Sequence, residues 1–236
     1  MTIYALDEHD ETLFPNPAEA DPDGLLAIGG GLSEKRLIHA YINGIFPWYS
    51  EGQPVLWWSP DPRCLLFPRE FHLSRSLAKL MRKNVFSCTF DKAFAAVIDG
   101  CSQCRPEGTW LIDEMKEAYI RLHLLGLAHS VEVWHESELV GGLYGISLGR
   151  AFFGESMFYK RTNASKVALV HLVEFAKSQD FVFIDCQQET DNLLRFGAKA
   201  IPRRDFLQLL GESLEFPTLQ HSWTALQAHL PDESES

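Results

Sequence analysis

The stretch Phe152-Phe153-Gly154-Glu155-Ser156-Met157-Phe158 decides the expected fold, because it places a carboxylate inside an apolar strand. Successive side chains of a strand point to opposite faces, so Phe153, Glu155 and Met157 are expected on one face of a sheet. A carboxylate between two large apolar neighbours is costly unless it has a partner, and Gly154 allows close approach to the backbone. The stretch therefore predicts a strand whose side chains line a functional site. The alternative is an edge strand whose Glu155 faces water.

The segments around this strand predict an α+β fold with a mixed sheet. Runs at residues 130–134, 139–147 and 151–159 follow one another with short connections, which favours antiparallel hairpins. The apolar run 181–184 is typical of a strand buried on both faces. Further strands are expected at 64–67, 85–90 and 198–201, and helices at 33–43, 74–83, 91–100, 112–125, 163–175, 190–196 and from 203. This order of elements is that of a GNAT-type acyltransferase domain.

A change of pattern marks the expected domain boundary. Residues 1–62 are dense in turn residues and aromatics, and a Pro-rich turn closes them at residues 60–62. We expect a small N-terminal α/β domain at 1–62 and a GNAT-like catalytic domain at 63–236.

Composition and charge limit the class of protein. The formal net charge of −11 argues against general nucleic-acid affinity, so a nucleic-acid site has to be a concentrated basic patch. The N-terminus is acidic, and no apolar stretch approaches the ~20 residues that span a bilayer. Five cysteines fit a reducing compartment. The sequence predicts a cytoplasmic protein.

A C-x-x-C pair, Cys101 and Cys104, precedes His123 and His129. An isolated pair is a weak zinc signal, and the spacing from Cys104 to His123 is longer than that of a zinc finger. We therefore expect no metal.

The buried strand ends in Ile184-Asp185-Cys186-Gln187, whose period places Asp185 and Gln187 on one face. Polar groups at the carboxyl end of a buried strand lie where α/β-type sheets usually bind ligands. Ionised Asp185 only accepts hydrogen bonds, so it can fix which way the Gln187 amide points. The alternative is that Asp185 caps the following helix.

Basic residues recur at i, i+4, i+7 and i+8 on the expected helix at 74–83 and form one stripe on its surface. They are Arg75, Lys79, Arg82 and Lys83. The apolar stripe of this helix begins at Leu73 and is shifted back by two residues, or about 200°, so the basic stripe lies opposite the buried one. In an acidic protein the stripe favours contacts with a phosphate backbone. An ordinary solvated surface is the alternative.

Exposed aromatic side chains can stack on a nucleobase for roughly 1–3 kcal/mol each. The candidates are Tyr41, Phe46, Trp48, Trp57, Trp58 and Trp110. We expect Trp57 and Trp58 to be core residues, whereas Trp48 and Trp110 follow turn residues and suit the walls of a cleft.

Eight blocks in order resemble those of bacterial leucyl/phenylalanyl-tRNA–protein transferases, over about residues 14 to 210. They lie at residues 29–33, 44–48, 56–63, 107–110, 141–145, 154–158, 184–187 and 201–204. The resemblance implies transfer of leucine or phenylalanine from aminoacyl-tRNA to the N-terminal amine of proteins that begin with Arg or Lys, which creates a degradation signal. It implies no cofactor and no metal. Methionine is expected to be a poor substrate, because an apolar pocket separates aliphatic side chains by only about 1–3 kcal/mol.

Under this resemblance Asp185 holds Gln187, Gln187 hydrogen-bonds the attacking amine or the ester, and Glu155 stabilises the amine or the acceptor's cationic side chain. The basic stripe grips the acceptor stem through its phosphates. Trp48 and Trp110 stack on the terminal adenosine. The other expected substrate contacts are Tyr41, Leu143, Ser156, Met157, Leu172 and Ile184, of which the four aliphatic residues line a pocket for the leucine or phenylalanine side chain.

Two other functions stay open. One is a GNAT-type acyl-CoA N-acetyltransferase, although residues 160–165 lack the glycine with which such enzymes hold a pyrophosphate on backbone N–H groups. The other is a non-catalytic tRNA-binding module, for which the set Glu155, Asp185 and Gln187 has no use.

Overall fold

The computed structural model describes residues 3–104 and 111–224, and within them the strands form two sheets. The smaller sheet has the order β1-β2-β4-β3, with β1 parallel to β2 and the other pairs antiparallel. Its strands are β1 (Tyr4–Leu6), β2 (Leu25–Gly29), β3 (Phe46–Pro47) and β4 (Leu56–Trp58). Helix α1 (Glu34–Ile42) connects β2 to β3 and is capped by the Ser33 hydroxyl, which accepts the Arg36 N–H.

The larger sheet is mixed, with the order β11-β5-β10-β9-β8-β7-β6. A parallel pair, β9 and β10, lies in its middle, and the other neighbours are antiparallel. The strands are β5 (Arg63–Leu66), β6 (Ser87–Phe90), β7 (Ala128–His135), β8 (Glu138–Leu148), β9 (Ala151–Tyr159), β10 (Phe183–Gln187) and β11 (Lys199–Ile201). The predicted α+β fold with a mixed sheet is confirmed.

Alternation along the central strands divides the apolar residues between the two sheet faces. Phe153 and Phe183 belong to the cluster that contains α3 and α4, whereas Phe152 and Ile184 belong to the cluster that contains α5. The helices that follow α1 are α2 (Arg75–Met81), α3 (Phe94–Gln103), α4 (Asp113–Leu124), α5 (Ala164–Ser178), α6 (Asp191–Arg195) and α7 (Arg203–Leu214). No helix within 3–104 and 111–224 has the length and apolar character needed to cross a membrane.

A bulge interrupts the alternation of β9. Gly154 pairs with Gly145, whereas Ser156 pairs with Tyr144, so Glu155 is an extra residue. Beyond the bulge Met157 lies opposite Leu143, whose cluster is that of α5. The expectation that Met157 shares the face of Phe153 is therefore wrong.

The expected start of one helix differs from the structure. Helix α3 begins at Phe94, because Asp91 has a positive φ of 55° and its carboxylate accepts the N–H of Ser130 instead of capping a helix. Helix α2 begins as expected after Ser74, whose hydroxyl accepts the Leu77 N–H. Leu73 is 38% exposed, so its expected place in the buried stripe is wrong. Strands β1 to β4 of the expected N-terminal α/β domain are two to five residues long, so no periodicity predicts their individual positions.

The two sheets share a core. One apolar cluster contains Leu37 and Trp57 of the N-terminal part together with Phe153, Phe183 and Phe206. The expected boundary at residue 62 falls in the connection between β4 and β5, and it stays a prediction.

Candidate active site

A cavity of about 560 Å³ opens where β9 and β10 separate. These strands pair only from Ala151 to Phe153 and from Phe183 to Asp185, and the residues that follow on both strands line the cavity. One part of its wall is apolar and includes the four residues expected to form a side-chain pocket: Leu143, Met157, Leu172 and Ile184. The polar part includes Glu155, Ser156 and Gln187.

Glu155 lies at the junction of the polar part and the core. Its Oε1 accepts hydrogen bonds from the Tyr41 hydroxyl at 2.8 Å and from Gln187 Nε2 at 3.0 Å, and its Oε2 accepts one from the Tyr119 hydroxyl at 2.7 Å. Burial and, to a smaller extent, the negative charge of Asp185 raise the pKa of Glu155 to about 7, although the hydrogen bonds donated to its ionised form oppose this rise. Glu155 has partners on three elements, so the alternative of a solvated edge-strand Glu is wrong.

Tyr41 is 1% exposed, so the structure contradicts its expected role as an aromatic surface for a substrate. Its hydroxyl lies 2.8 Å from the hydroxyl of Tyr119, which is also buried. Burial, followed by the nearby charge of Glu155, raises the pKa of each phenol well above its usual range. Both tyrosines therefore stay protonated and hold Glu155 from helices α1 and α4.

Asp185 is fully buried and forms a two-pronged ion pair with Arg63. Arg63 Nε donates to Oδ1 at 2.9 Å, and Nη2 donates to Oδ2 at 2.7 Å. Asp185 Oδ1 also accepts the backbone N–H of Gln187 at 2.9 Å. The expected contact with the Gln187 side-chain amide is wrong, because Asp185 holds the backbone of Gln187 and Glu155 holds its amide. Asp185 does not cap α6 either, since Thr190 does so.

Arg63 connects this pair to the N-terminal part of the chain. Its guanidinium carbon lies 4.8 Å from the ring centre of Phe46 and 4.6 Å from that of Phe206. Its Nη1 donates to the Gly44 carbonyl at 3.2 Å. A buried arginine with these partners stabilises the Asp185 charge and fixes β10 relative to the segment that carries Trp48.

The tryptophans differ in exposure. Trp48 is 41% exposed and lines the cavity, and its ring centre lies 5.9 Å from that of Trp58. Trp57 is buried as expected, whereas Trp58 is half-buried. Trp110 lies outside the described residues. Of the described aromatic candidates, Phe46 and Trp48 line the cavity, and Trp48 is the exposed one because Phe46 is 4% exposed.

The basic stripe lies apart from this site. Arg75, Lys79, Arg82 and Lys83 are exposed on and just after α2, which contributes no side chain to the described cavity lining. Within residues 3–104 and 111–224 none of the four takes part in an ion pair. Their charges are available to a partner outside the chain.

The C-x-x-C region does not assemble a metal site in the described part of the chain, which contains no cluster of three or more His, Cys, Asp or Glu suited to a metal. His123 stacks on Phe94 with ring centres 4.2 Å apart. His129 Nδ1 lies 2.8 Å from Asp91 Oδ2.

Sequence reasoning missed Arg63 and Tyr119 as site residues. Arg63 directly follows the Pro-rich turn at residues 60–62, and Tyr119 lies on the buried face of α4. A signal was present for Arg63, because an arginine in an apolar strand needs a carboxylate partner.

Comparisons with known proteins show which family the chain resembles. The family model "Leucyl/phenylalanyl-tRNA protein transferase" matches residues 65–211, and the model of the N-terminal domain of that family matches residues 30–61. Proteins named leucyl/phenylalanyl-tRNA–protein transferase are similar to the chain over nearly their whole length. The one from Desulfatibacillum aliphaticivorans is 55% identical over 95% of this chain and 97% of its own. The one from Syntrophobacter fumaroxidans is 55% identical over 94% of this chain and 96% of its own.

Among solved structures the likeness is weaker. The chain overlaps with L-PGS from Bacillus licheniformis at a TM-score of 0.39 and 12% identity, over 68% of this chain and 51% of that one. It overlaps with a GCN5-related N-acetyltransferase from Kribbella flavida at a TM-score of 0.37 and 8% identity, over 69% of this chain and 59% of that one.

Proposed function

The chain belongs to the leucyl/phenylalanyl-tRNA–protein transferase family, and we propose that it moves leucine or phenylalanine from aminoacyl-tRNA to the N-terminal amine of proteins that begin with Arg or Lys. Aminoacyl transfer from tRNA to protein is the activity of the family. The amino acid, the acceptor residue and the roles of individual side chains are the proposal. The observation that carries it is one cavity in which an apolar pocket adjoins the cluster of Glu155 and Gln187.

The donor side of the cavity suits an aminoacyl ester. Leu143, Met157, Leu172 and Ile184 offer aliphatic contacts to a leucine or phenylalanine side chain. Such a pocket rejects polar side chains but admits methionine weakly. Trp48 offers an exposed ring to the terminal adenosine, and Trp110 is proposed for the same role. Arg75, Lys79, Arg82 and Lys83 are proposed to contact phosphates of the acceptor stem, which position the tRNA without reading much of its sequence.

The chemistry requires little acid–base power, because the donor is an activated ester and an α-amine with a pKa near 8 is partly neutral at pH 7. Orientation can supply most of the rate. Gln187 is proposed to hydrogen-bond the amine or the ester, with its backbone held by Asp185 and its amide by Glu155. Ser156, beside Glu155 in the lining, is a further proposed substrate contact.

A basic acceptor is favoured by the charge of the protein. Among the described residues of the cavity lining Glu155 is the single carboxylate and Lys166 the single lysine or arginine, and the whole chain carries a formal net charge of −11. The product is proposed to mark its protein for degradation. The donor is made where translation occurs, so we place the reaction in the cytoplasm, without acyl-CoA and without a metal.

The experiment that tests this proposal follows labelled leucine from Leu-tRNA to a peptide that begins with Arg, with no CoA added. The same peptide beginning with Ala, and the Arg peptide with an acetylated N-terminus, are the controls. Label on the free Arg peptide alone supports the donor, the acceptor and the attacking amine together. Equal label on the Arg and Ala peptides would refute the acceptor assignment, and acetyl transfer from acetyl-CoA would favour an N-acetyltransferase.

A further inference from the structure

Four oxygen atoms, two from the Glu155 carboxyl group and one from each of Tyr41 and Tyr119, form a ring closed by three short contacts. The contacts are Tyr41 Oη to Glu155 Oε1 at 2.8 Å, Tyr119 Oη to Glu155 Oε2 at 2.7 Å, and Tyr41 Oη to Tyr119 Oη at 2.8 Å. Each distance is that of an O–H···O hydrogen bond, and each such bond needs one proton. The two phenols supply two protons, because each hydroxyl carries one. The third proton has to come from the Glu155 carboxyl group.

The two protonation states of Glu155 therefore differ in how many contacts are satisfied. In the acid form the bonds run in one direction: Tyr41 donates to Oε1, Oε2–H donates to Tyr119, and Tyr119 donates to Tyr41. In the ionised form two of these contacts are hydrogen bonds and one brings two oxygens together without a proton. Water has little access to the phenols, since Tyr41 is 1% and Tyr119 0% exposed. Gln187 Nε2 donates to Oε1 in both states.

We infer that Glu155 is the proton acceptor for the attacking amine, and that Tyr41 and Tyr119 are the positioning residues that hold the accepted proton in a closed ring. This inference rests on the proposed function. The α-ammonium group of the acceptor gives one proton to the Glu155 carboxylate, and the amine lone pair attacks the ester carbonyl carbon. The bond from that carbon to the ribose oxygen breaks, and a second proton of the amine ends on the ribose oxygen. Glu155 then releases its proton to water.

The charged and titratable groups around Glu155 favour such a role. Tyr41 faces it from α1, Tyr119 from α4, and Gln187 from β10, while Asp185 of β10 acts on it through its charge. Burial is the largest cause that raises the pKa of Glu155 to about 7. An α-amine has a pKa near 8, so the proton transfer is unfavourable by only about tenfold. For an ordinary glutamate, nearly four pKa units below the amine, it would be unfavourable by several thousandfold.

The ring predicts the direction in which the pKa of Glu155 moves when one of the tyrosines is removed. Tyr119→Phe removes two hydrogen bonds from the acid form of Glu155. From the ionised form it removes the one bond donated to the carboxylate, and it also relieves the contact between two phenol oxygens that lacks a proton. The pKa of Glu155, measured as the midpoint of its titration, is therefore expected to fall. A tyrosine that served only as a donor to the carboxylate would have the opposite effect, and its loss would raise the midpoint. Tyr41→Phe has the same bond count as Tyr119→Phe and serves as the second variant.

The midpoint is measured on the free protein by NMR of the ¹³C-labelled glutamate carboxyl carbons, with Glu155→Gln used to assign the signal. Tyr49→Phe is the matched control, because it removes a buried phenol whose hydroxyl donates to Glu114 at 3.3 Å, outside the ring. A downward shift in either ring variant, with no shift in the control, supports the inference. An upward shift, or none, in both ring variants overturns it.

A second measurement separates this inference from the proposed function. The rate of single-turnover transfer is measured as a function of pH. The pH at which the rate falls on the acid side is expected to shift together with the Glu155 titration midpoint from NMR in each ring variant. If the midpoint shifts and the pH dependence of the rate does not, Glu155 is not the proton acceptor. Absence of transfer in every form of the protein, with the NMR shift intact, refutes the proposed function and leaves the proton-holding ring.

Discussion

Replacement of Arg63 by methionine should destabilise the protein and disorganise the turn that carries Gln187. The ion pair with Asp185 is enclosed, with both side chains 0% exposed. Removal of one partner leaves a buried charge without compensation, which costs about 3–5 kcal/mol. Without the guanidinium, the Asp185 carboxylate loses the partner that fixes its orientation, and its hydrogen bond from the Gln187 N–H is weakened. We expect the loss of stability to be accompanied by a fall in kcat.

A double-mutant cycle measures how much of this loss belongs to the pair. Arg63→Met and Asp185→Leu are each expected to lower the free energy of unfolding by about 3–5 kcal/mol, whereas the double variant replaces the pair by apolar groups and should recover most of that loss. Urea unfolding followed by tryptophan fluorescence gives the change in the free energy of unfolding for each of the three variants, provided that the m-value stays constant. The recovery is expected for stability alone, because the double variant lacks the carboxylate that holds Gln187.

Additive losses in the double variant would refute the reasoning, since they would show that Arg63 and Asp185 stabilise the fold independently. The matched control is Arg69→Met, which breaks the pair with Asp180 at the surface, where the side chains are 81% and 57% exposed. Exposed pairs contribute little to stability, so this variant should leave the free energy of unfolding nearly unchanged.

Three further predictions concern separate parts of the site. Glu155→Gln should remove a pH dependence of stability. Because the folded protein binds the Glu155 proton up to about pH 7, the wild-type free energy of unfolding falls as the pH rises from 4.5 to about 7. Urea titrations at pH 5 and 8 should show this fall for the wild type alone, and above pH 7 the variant should be the more stable protein by ~3 kcal/mol. The double reversal Arg75→Glu with Lys79→Glu should weaken tRNA binding and reduce the slope of log K against log salt by about 2, and unchanged binding would identify the stripe as ordinary solvated surface. Leu172→Phe should narrow the apolar pocket and lower transfer of phenylalanine relative to leucine by roughly 10–200-fold in competition assays, and an unchanged ratio would place the donor side chain elsewhere.

The parts of the fold that sequence could predict depend on local periodicity. The long strand β8 and helix α4 have patterns that are clear over about ten residues, and their bounds agree closely with the expected ones. The strands of the small sheet are two to five residues long, and their pairing depends on partners elsewhere in the chain. A period of two cannot be recognised in a segment as short as β3.

For the candidate site, the sequence could indicate residue types but not their pairing. Glu155, Asp185 and Gln187 stand out because each is a polar group in an apolar strand. Their partners are far away in the chain: Tyr41 lies 114 residues from Glu155, and Arg63 lies 122 residues from Asp185. Asp185 was therefore assigned to the nearest candidate, the Gln187 amide, although a buried carboxylate needs a cation.

The two irregularities of the sheet explain why the site lies where regular strands would not place it. Glu155 is the extra residue of a bulge in β9, and β10 loses its register with β5 between Asp185 and Gln187. Gln187 also has a positive φ of 63°, which is unfavourable for a residue with a side chain. The Asp185 carboxylate offsets this cost by accepting the Gln187 N–H, and Arg63 holds that carboxylate in place within the core. In regular strands without these two shifts, Glu155 and Gln187 would not be turned toward each other. The Arg63–Asp185 pair, which touches no substrate in this scheme, is thus the condition for their contact.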